Sequence, residues 1–141
     1  MNGYSQDFNA ESKCKELALN QIAAGSDVVF QVAGGCGLGA LDAAKTKNVW
    51  GIGVDADQGF LGPHILTSAL KGVDTAVFLS IKDAKDGHFK GGQDAVYGLE
   101  QNGVGLGKFS PKAPKGIEAK LLMIEQQIID GKIANIPTIL K

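Results

Sequence analysis

Apolar positions recur along this chain in two periods, one that suits helices and one that suits strands. From Ala10 to Ala24 they share a helical face (Cys14, Leu17, Ala18, Gln21, Ile22), and Gly25 supplies the stop. Asp27–Val32, DVVFQV, is a near-continuous apolar run that predicts a buried strand. A glycine-rich turn and a helix over 37–47 follow. Val49–Val54 predicts a second strand that closes on Asp55-Ala56-Asp57-Gln58, and turn residues over 59–63 lead into a third over 64–68. The cleanest helical period begins after Lys71, where Val73, Ala76, Val77, Ile81 and Ala84 form one stripe and Asp74, Lys82 and Asp83 fall elsewhere.

Strands alternating with helices predict an α/β fold, a doubly wound parallel sheet with helices on both faces. Residues 1–9 read as a short extended or hinge piece. From Asp86 to Pro114 glycine, lysine and proline break the chain into short pieces such as Ala95–Tyr97 and Val104–Leu106. A last amphipathic helix is expected over 116–130, with Gly131 as its stop, and Ile133–Pro137 reads as a final strand or an extended tail. Residues 1–85 are therefore expected to form the core of a lobe. Residues 86–141 would be crossover and C-terminal elements that pack on the same lobe or swap.

Composition narrows the chemistry. The chain has 141 residues, 44% hydrophobic and 21% charged, as globular domains are, and a net charge of −1. That balance gives no electrostatic basis for nucleic acid or an anionic membrane. Every basic residue is a lysine, which disfavours a site built on bidentate phosphate recognition. Cys14 and Cys36 make no metal or redox motif and are expected to be free thiols. No nucleophile–base pair or metal cluster stands out, so no catalytic residue, metal or cofactor is expected. His64 and His88 have no partner motif, Trp50 is expected in the core, and MNGYSQDFNAESK does not resemble a secretion signal.

One motif invites a specific reading. Gly35-x-Gly37-x-x-Ala40 opens the helix after the first strand, and Asp55 lies twenty residues beyond Gly35. That is the fingerprint of a dinucleotide-binding Rossmann unit, with the aspartate on a ribose. A strand–turn–helix–strand unit gives this spacing whatever the ligand, however, and here a full helix precedes the first strand. A small NAD- or FAD-binding domain stays open as an alternative, as does a flavodoxin-like domain without a ligand.

Three longer stretches point to another ligand. Gly25-x-Asp27-Val28-Val29-Phe30-Gln31-Val32-Ala33-Gly34-Gly35-x-Gly37-Leu38-Gly39, then Gly53-Val54-Asp55-x-Asp57-Gln58, then Ile65-Leu66-Thr67-Ser68-x-Leu70-Lys71-x-Val73-Asp74 come in order. Together they resemble the basic membrane protein family, the purine nucleoside receptors of bacterial ABC importers. Phe89-x-Gly91-Gly92, Gly103–Leu106 and Ile129-x-Gly131-Lys132-Ile133 extend the likeness to nearly the whole chain. The chain departs from the family pattern at Ala10 (usually aspartate), Cys14 (usually glycine) and Cys36 (usually threonine).

The resemblance implies a flavodoxin-like three-layer lobe of a type I periplasmic binding protein, a solute-binding component without enzymatic activity. It implies a purine nucleoside such as guanosine, inosine or adenosine, closed between two lobes and delivered to an ABC permease. It also implies an extracytoplasmic protein held at the cell envelope as a lipoprotein. The chain matches the later part of such a receptor. The first lobe, export signal and lipid-anchor cysteine are expected to precede Met1, and an isolated lobe would expose a cleft face that dimerisation could cover.

Asp55 is the expected ribose acceptor, since a carboxylate accepts two vicinal hydroxyls. Lys71, expected to follow the third strand and begin the helix, is carried over from the family as a donor to the sugar. Ala33, Gly34 and Gly35 form the turn where bare backbone approaches the ligand. Asp57 is expected as a contact or a turn residue, and Phe8 as a ring that stacks on the base.

Overall fold

The Asp7 carboxylate turns the chain into its first helix. It accepts the backbone N–H groups of Asn9 at 2.8 Å and Ala10 at 3.0 Å, and α1 (Glu11–Ala23) follows. Gly25, at φ 103°, ends it in a conformation that a side chain would strain. The computed structural model describes residues 1–136. It divides into unit 1, Met1–Lys71 with Leu106–Ala113, and unit 2, Gly72–Gly105 with the chain from Pro114 onward.

In unit 1, β1 (Val28–Phe30), a 3-10 turn (Gly34–Cys36), α2 (Gly37–Lys47) and β2 (Trp50–Asp55) form a βαβ unit. A second 3-10 turn, Gly59–Leu61, leads to β3 (Ile65–Lys71). β1 pairs parallel with β2 (Val28↔Trp50 to Phe30↔Ile52). β2 pairs parallel with β3 (Gly51↔Ile65, then Ile52↔Thr67 to Asp55↔Leu70, the register shifting once between). Within unit 1 the order is β1-β2-β3, and the short strand β4 (Val104–Leu106) spans the point where the chain passes from unit 2 to unit 1. Parallel pairing brings the carboxyl ends of β1, β2 and β3 to one edge. The α/β flavodoxin-like lobe expected from the sequence is thus the observed fold.

The core explains why so many small residues sit in α1 and α2. Cys14 and Ala18 meet Val29, Cys36, Ala40, Ala43 and Ala44, with Leu19, Ile22, Ala33 and Val49 at the margin. Close approach is enforced at Gly39, where a Cβ would run into the backbone carbonyl of Glu11. Lys15 of α1 and Asp42 of α2 pair across the exposed side at 2.5 Å.

Several expectations need correction. Cys14 and Cys36 are not free thiols; they form a disulfide with Cα atoms 5.6 Å apart, inside the range such bonds require. Spacing gave no sign of it, because the bond depends on α1 crossing the turn before α2. Two positions that depart from the family pattern therefore meet in space.

β1 is shorter than the run that predicted it and is buried on one side only. Val29 enters the core, while Val28, Phe30 and Val32 are exposed on alternate positions. Lys71 is the last residue of β3 and not the start of a helix. The strand continues because Leu70 still pairs with Asp55, and Gly72 then turns, its N–H donating to Gly103 O at 2.8 Å. Trp50 is half-buried at the start of β2.

In unit 2, α3 (Val73–Lys85) and α4 (Ile117–Ile129) form close to where periodicity predicts them, yet neither holds a buried residue. Val73, Val77 and Ile81 of the clean stripe are exposed. The turn before β4 is tight: Gly103 N donates to Gly98 O at 2.9 Å, and Ser80 and Tyr97 share a hydroxyl hydrogen bond at 3.2 Å. Residues 133–136 form no strand, and Pro137 lies outside the described residues.

Gly39→Ala decides between two opposed effects. Helix propensity favours alanine by about 1 kcal/mol, while overpacking against a backbone atom costs about 1–3 kcal/mol. Because the blocking atom belongs to the α1 backbone, the clash is expected to win. The urea midpoint should fall, and a raised midpoint would show that α1 can shift.

Candidate ligand-binding site

Three loops leave the carboxyl edge of the sheet, and two glutamines tie them together. Gln58 Oε1 accepts the Val54 N–H and the Gln31 side-chain amide, each at 3.0 Å. Gln31 Oε1 in turn accepts the Ala33 N–H at 3.2 Å, and the Gln58 N–H donates to Ser68 Oγ at 3.0 Å. Gln31 and Ser68 are buried, and among the described residues no buried side-chain polar atom lacks a partner. The network joins the ends of β1, β2 and β3 in a region where an unpaired polar group is costly.

Two motif glycines answer to this network. A Cβ on Gly37 would collide with the Gln31 amide, and one on Gly53 would lie 2.5 Å from Ser68 Oγ and 2.8 Å from Gln58. Gly37 is buried, whereas Gly34 and Gly35 are exposed. In the dinucleotide fingerprint the second glycine lets backbone approach a pyrophosphate. Here the corresponding face of Gly37 is filled by Gln31.

The open part of the turn is Ala33-Gly34-Gly35. Gly34 has φ 57°, which only glycine adopts freely, and a Cβ there would sit 3.3 Å from Phe8 O and 3.6 Å from the Phe8 ring. The Cys36 N–H donates to Phe8 O at 2.9 Å, fastening the N-terminal segment to the turn. Phe8 therefore stands beside Gly34 with its side chain largely in solvent. Asp7, one residue before, has its carboxyl held below the usual range by the N–H groups of Asn9 and Ala10, opposed weakly by desolvation.

Asp55 and Lys71 meet at the same edge. Lys71 Nζ lies 2.6 Å from Asp55 Oδ1, with side chains 62% and 54% exposed. An ion pair this open adds little stability, so its geometry is better read as chemistry than as scaffolding. Asp55 also has φ 67°, a left-handed conformation uncommon outside glycine that concentrates at functional sites. Asp57 is engaged in the rim: Oδ1 accepts the Gly59 N–H at 3.1 Å and Oδ2 the Lys108 N–H at 3.4 Å.

The structure thus gathers Phe8, Ala33, Gly34, Gly35, Asp55, Asp57 and Lys71 on the carboxyl edge of unit 1. Sequence reading assigned no role to Gln31, Gln58 or Ser68. The available signal was a glutamine inside an apolar strand run, a position where a polar group needs a partner. A separate cavity of about 440 Å³ at the amino ends of β2 and β3 is lined by Lys45, Trp50, His64 and Lys112 among others. Burial, aided by Lys45, holds the His64 imidazole below its ordinary pKa. Among the described residues no group of His, Cys, Asp and Glu could hold a metal, and no helix is long and apolar enough to cross a membrane.

Residues 3–137 match the family model of PnrA-like ABC transporter substrate-binding proteins. The chain is 36% identical to the ABC transporter nucleoside-binding protein BmpA of Lactococcus lactis subsp. cremoris, over 92% of this chain and 42% of that protein. It is 36% identical to a CD4+ T-cell-stimulating antigen of Listeria monocytogenes, over 92% of this chain and 41% of that protein. The chain therefore spans about two fifths of the curated relatives it matches. An ABC transporter solute-binding protein from Aeropyrum pernix superposes with TM-score 0.75 at 25% identity, over 97% of this chain and 48% of that structure.

Gln58→Ala tests the network. It strands the Val54 N–H and the Gln31 amide, and is expected to lower unfolding free energy by about 2 kcal/mol. Urea titration measures this, and an unchanged midpoint would mean that water replaces the amide without loss.

Proposed function

The chain belongs to the Bmp family of PnrA-like ABC transporter substrate-binding proteins, and from that premise we propose that its carboxyl edge binds the ribose of a purine nucleoside. The observation that carries this reading is the exposed Asp55–Lys71 pair beside the open Gly34–Gly35 turn. A vicinal diol can donate to the Asp55 carboxylate and accept from the Lys71 ammonium, replacing one charge-assisted contact by several. Phe8 supplies an aromatic face beside the turn for the base. Asp57, whose oxygens are occupied by backbone N–H groups, shapes the rim.

The site lies open on this lobe. Enclosure would come from a second lobe that closes over it by a hinge, the closed form delivering guanosine, inosine or adenosine to an ABC permease. The nucleoside-binding description of the Lactococcus relative supports that ligand class. The disulfide suits the extracytoplasmic location of an envelope-anchored lipoprotein, where such bonds persist.

Calorimetry on the receptor carrying both lobes tests the assignment. Purine nucleosides should bind and NAD should not. Asp55→Ala should weaken guanosine binding by about 10–100-fold, the loss expected for hydrogen bonds to a charged group. Unchanged affinity in that variant would remove Asp55 from the site.

A further inference from the structure

The ligand-facing turn is made of the least constrained residues in the chain, yet a covalent bond ends it. Gly34 and Gly35 contribute no side chains, and glycine loses the most backbone freedom when ordered. The next residue, Cys36, is fully buried and bonded to Cys14 of α1, itself 6% exposed. Around this bond α1 and α2 have independent ties. Gly39 packs on the Glu11 carbonyl, Lys15 pairs with Asp42, and Ala18, Leu19 and Ile22 fill the shared core. The helices are therefore docked without the disulfide. The turn itself is otherwise held by noncovalent contacts alone, among them Cys36 N–H to Phe8 O and Ala33 N–H to Gln31 Oε1.

We propose that the Cys14–Cys36 disulfide is a positioning device for the ligand site. It clamps the end of the Gly34–Gly35 turn to α1, so that ligand affinity depends on the oxidised state. The inference rests on the reading of this edge as a ligand site. Its physical basis is preorganisation: a turn held in its bound shape before the ligand arrives loses less entropy on binding. Through the Cys36 N–H the same bond steadies the Phe8 backbone, so the turn and the residue beside it are held together. Reduction by a dithiol breaks the Sγ–Sγ bond with two electrons and two protons, giving two thiols and leaving the reductant as its own cyclic disulfide. Burial of both sulfurs hinders the thiolate attack this needs, so a Cys14→Ala/Cys36→Ala variant serves beside the reduced protein.

The experiment compares oxidised, reduced and double-alanine forms of the receptor carrying both lobes, under conditions where circular dichroism shows all three folded. Amide hydrogen exchange over Gln31–Gly37 needs no ligand, and guanosine calorimetry reads the site. Breaking the bond should speed exchange in that segment, with β2 and β3 unchanged, and weaken guanosine binding, each by about tenfold. Unchanged exchange over Gln31–Gly37 would overturn the clamp. Faster exchange with unchanged affinity would overturn its role in binding and leave the nucleoside reading standing. An oxidised receptor that fails to bind guanosine would overturn the nucleoside reading instead, while exchange alone still decides whether the bond holds the turn.

Discussion

A single oxygen, Gln58 Oε1, sets the shape of the sheet's carboxyl edge. It receives the Val54 N–H from β2 and the Gln31 amide from the loop after β1, while the Gln58 backbone is anchored on Ser68 of β3. Three parallel strands would otherwise end in loops free to diverge. Because the amide must cross the sheet edge, position 53 has no room for a side chain, and because Gln31 must reach it, neither has position 37. Glycines that look like ligand-approach residues are thus partly the steric cost of a buried hydrogen-bond network.

What the network leaves exposed is the surface proposed to meet the ligand. Gly34, Gly35, Asp55 and Lys71 stand on the outer side of the edge, with Phe8 fastened alongside by the Cys36 N–H. Buried amides hold position, and the exposed charges are left free for the recognition proposed above. That division suits a lobe whose charged pair is to be completed by ligand hydroxyls, since partners already desolvated would have little to gain.

Much of this was legible in the chain. The βαβ unit followed from periodicity because α2 and β2 are local, with apolar positions that meet one another inside the unit. The place of Asp55 at the carboxyl end of β2 was legible because the apolar run before it stops there. β1 was harder, since a run such as DVVFQV looks buried on both sides whether or not something covers its second face. Lys71 lies in β3 and not in the expected helix because the Leu70–Asp55 pairing extends the strand, a cross-strand event with no local mark. The disulfide and the glutamine network were the least legible. Both join segments far apart in sequence, and neither cysteine nor glutamine has a spacing rule that announces its partner. A glutamine in an apolar strand and two departures from a family pattern were the only traces, each meaningful once the other end was known.

Amide chemical-shift mapping decides whether the carboxyl edge of unit 1 binds a nucleoside. On titrating guanosine into the receptor, the largest shifts should fall on Gly34, Gly35, Asp55 and Lys71. Shifts centred on Lys45, Trp50 and His64, at the amino ends of the strands, would contradict it.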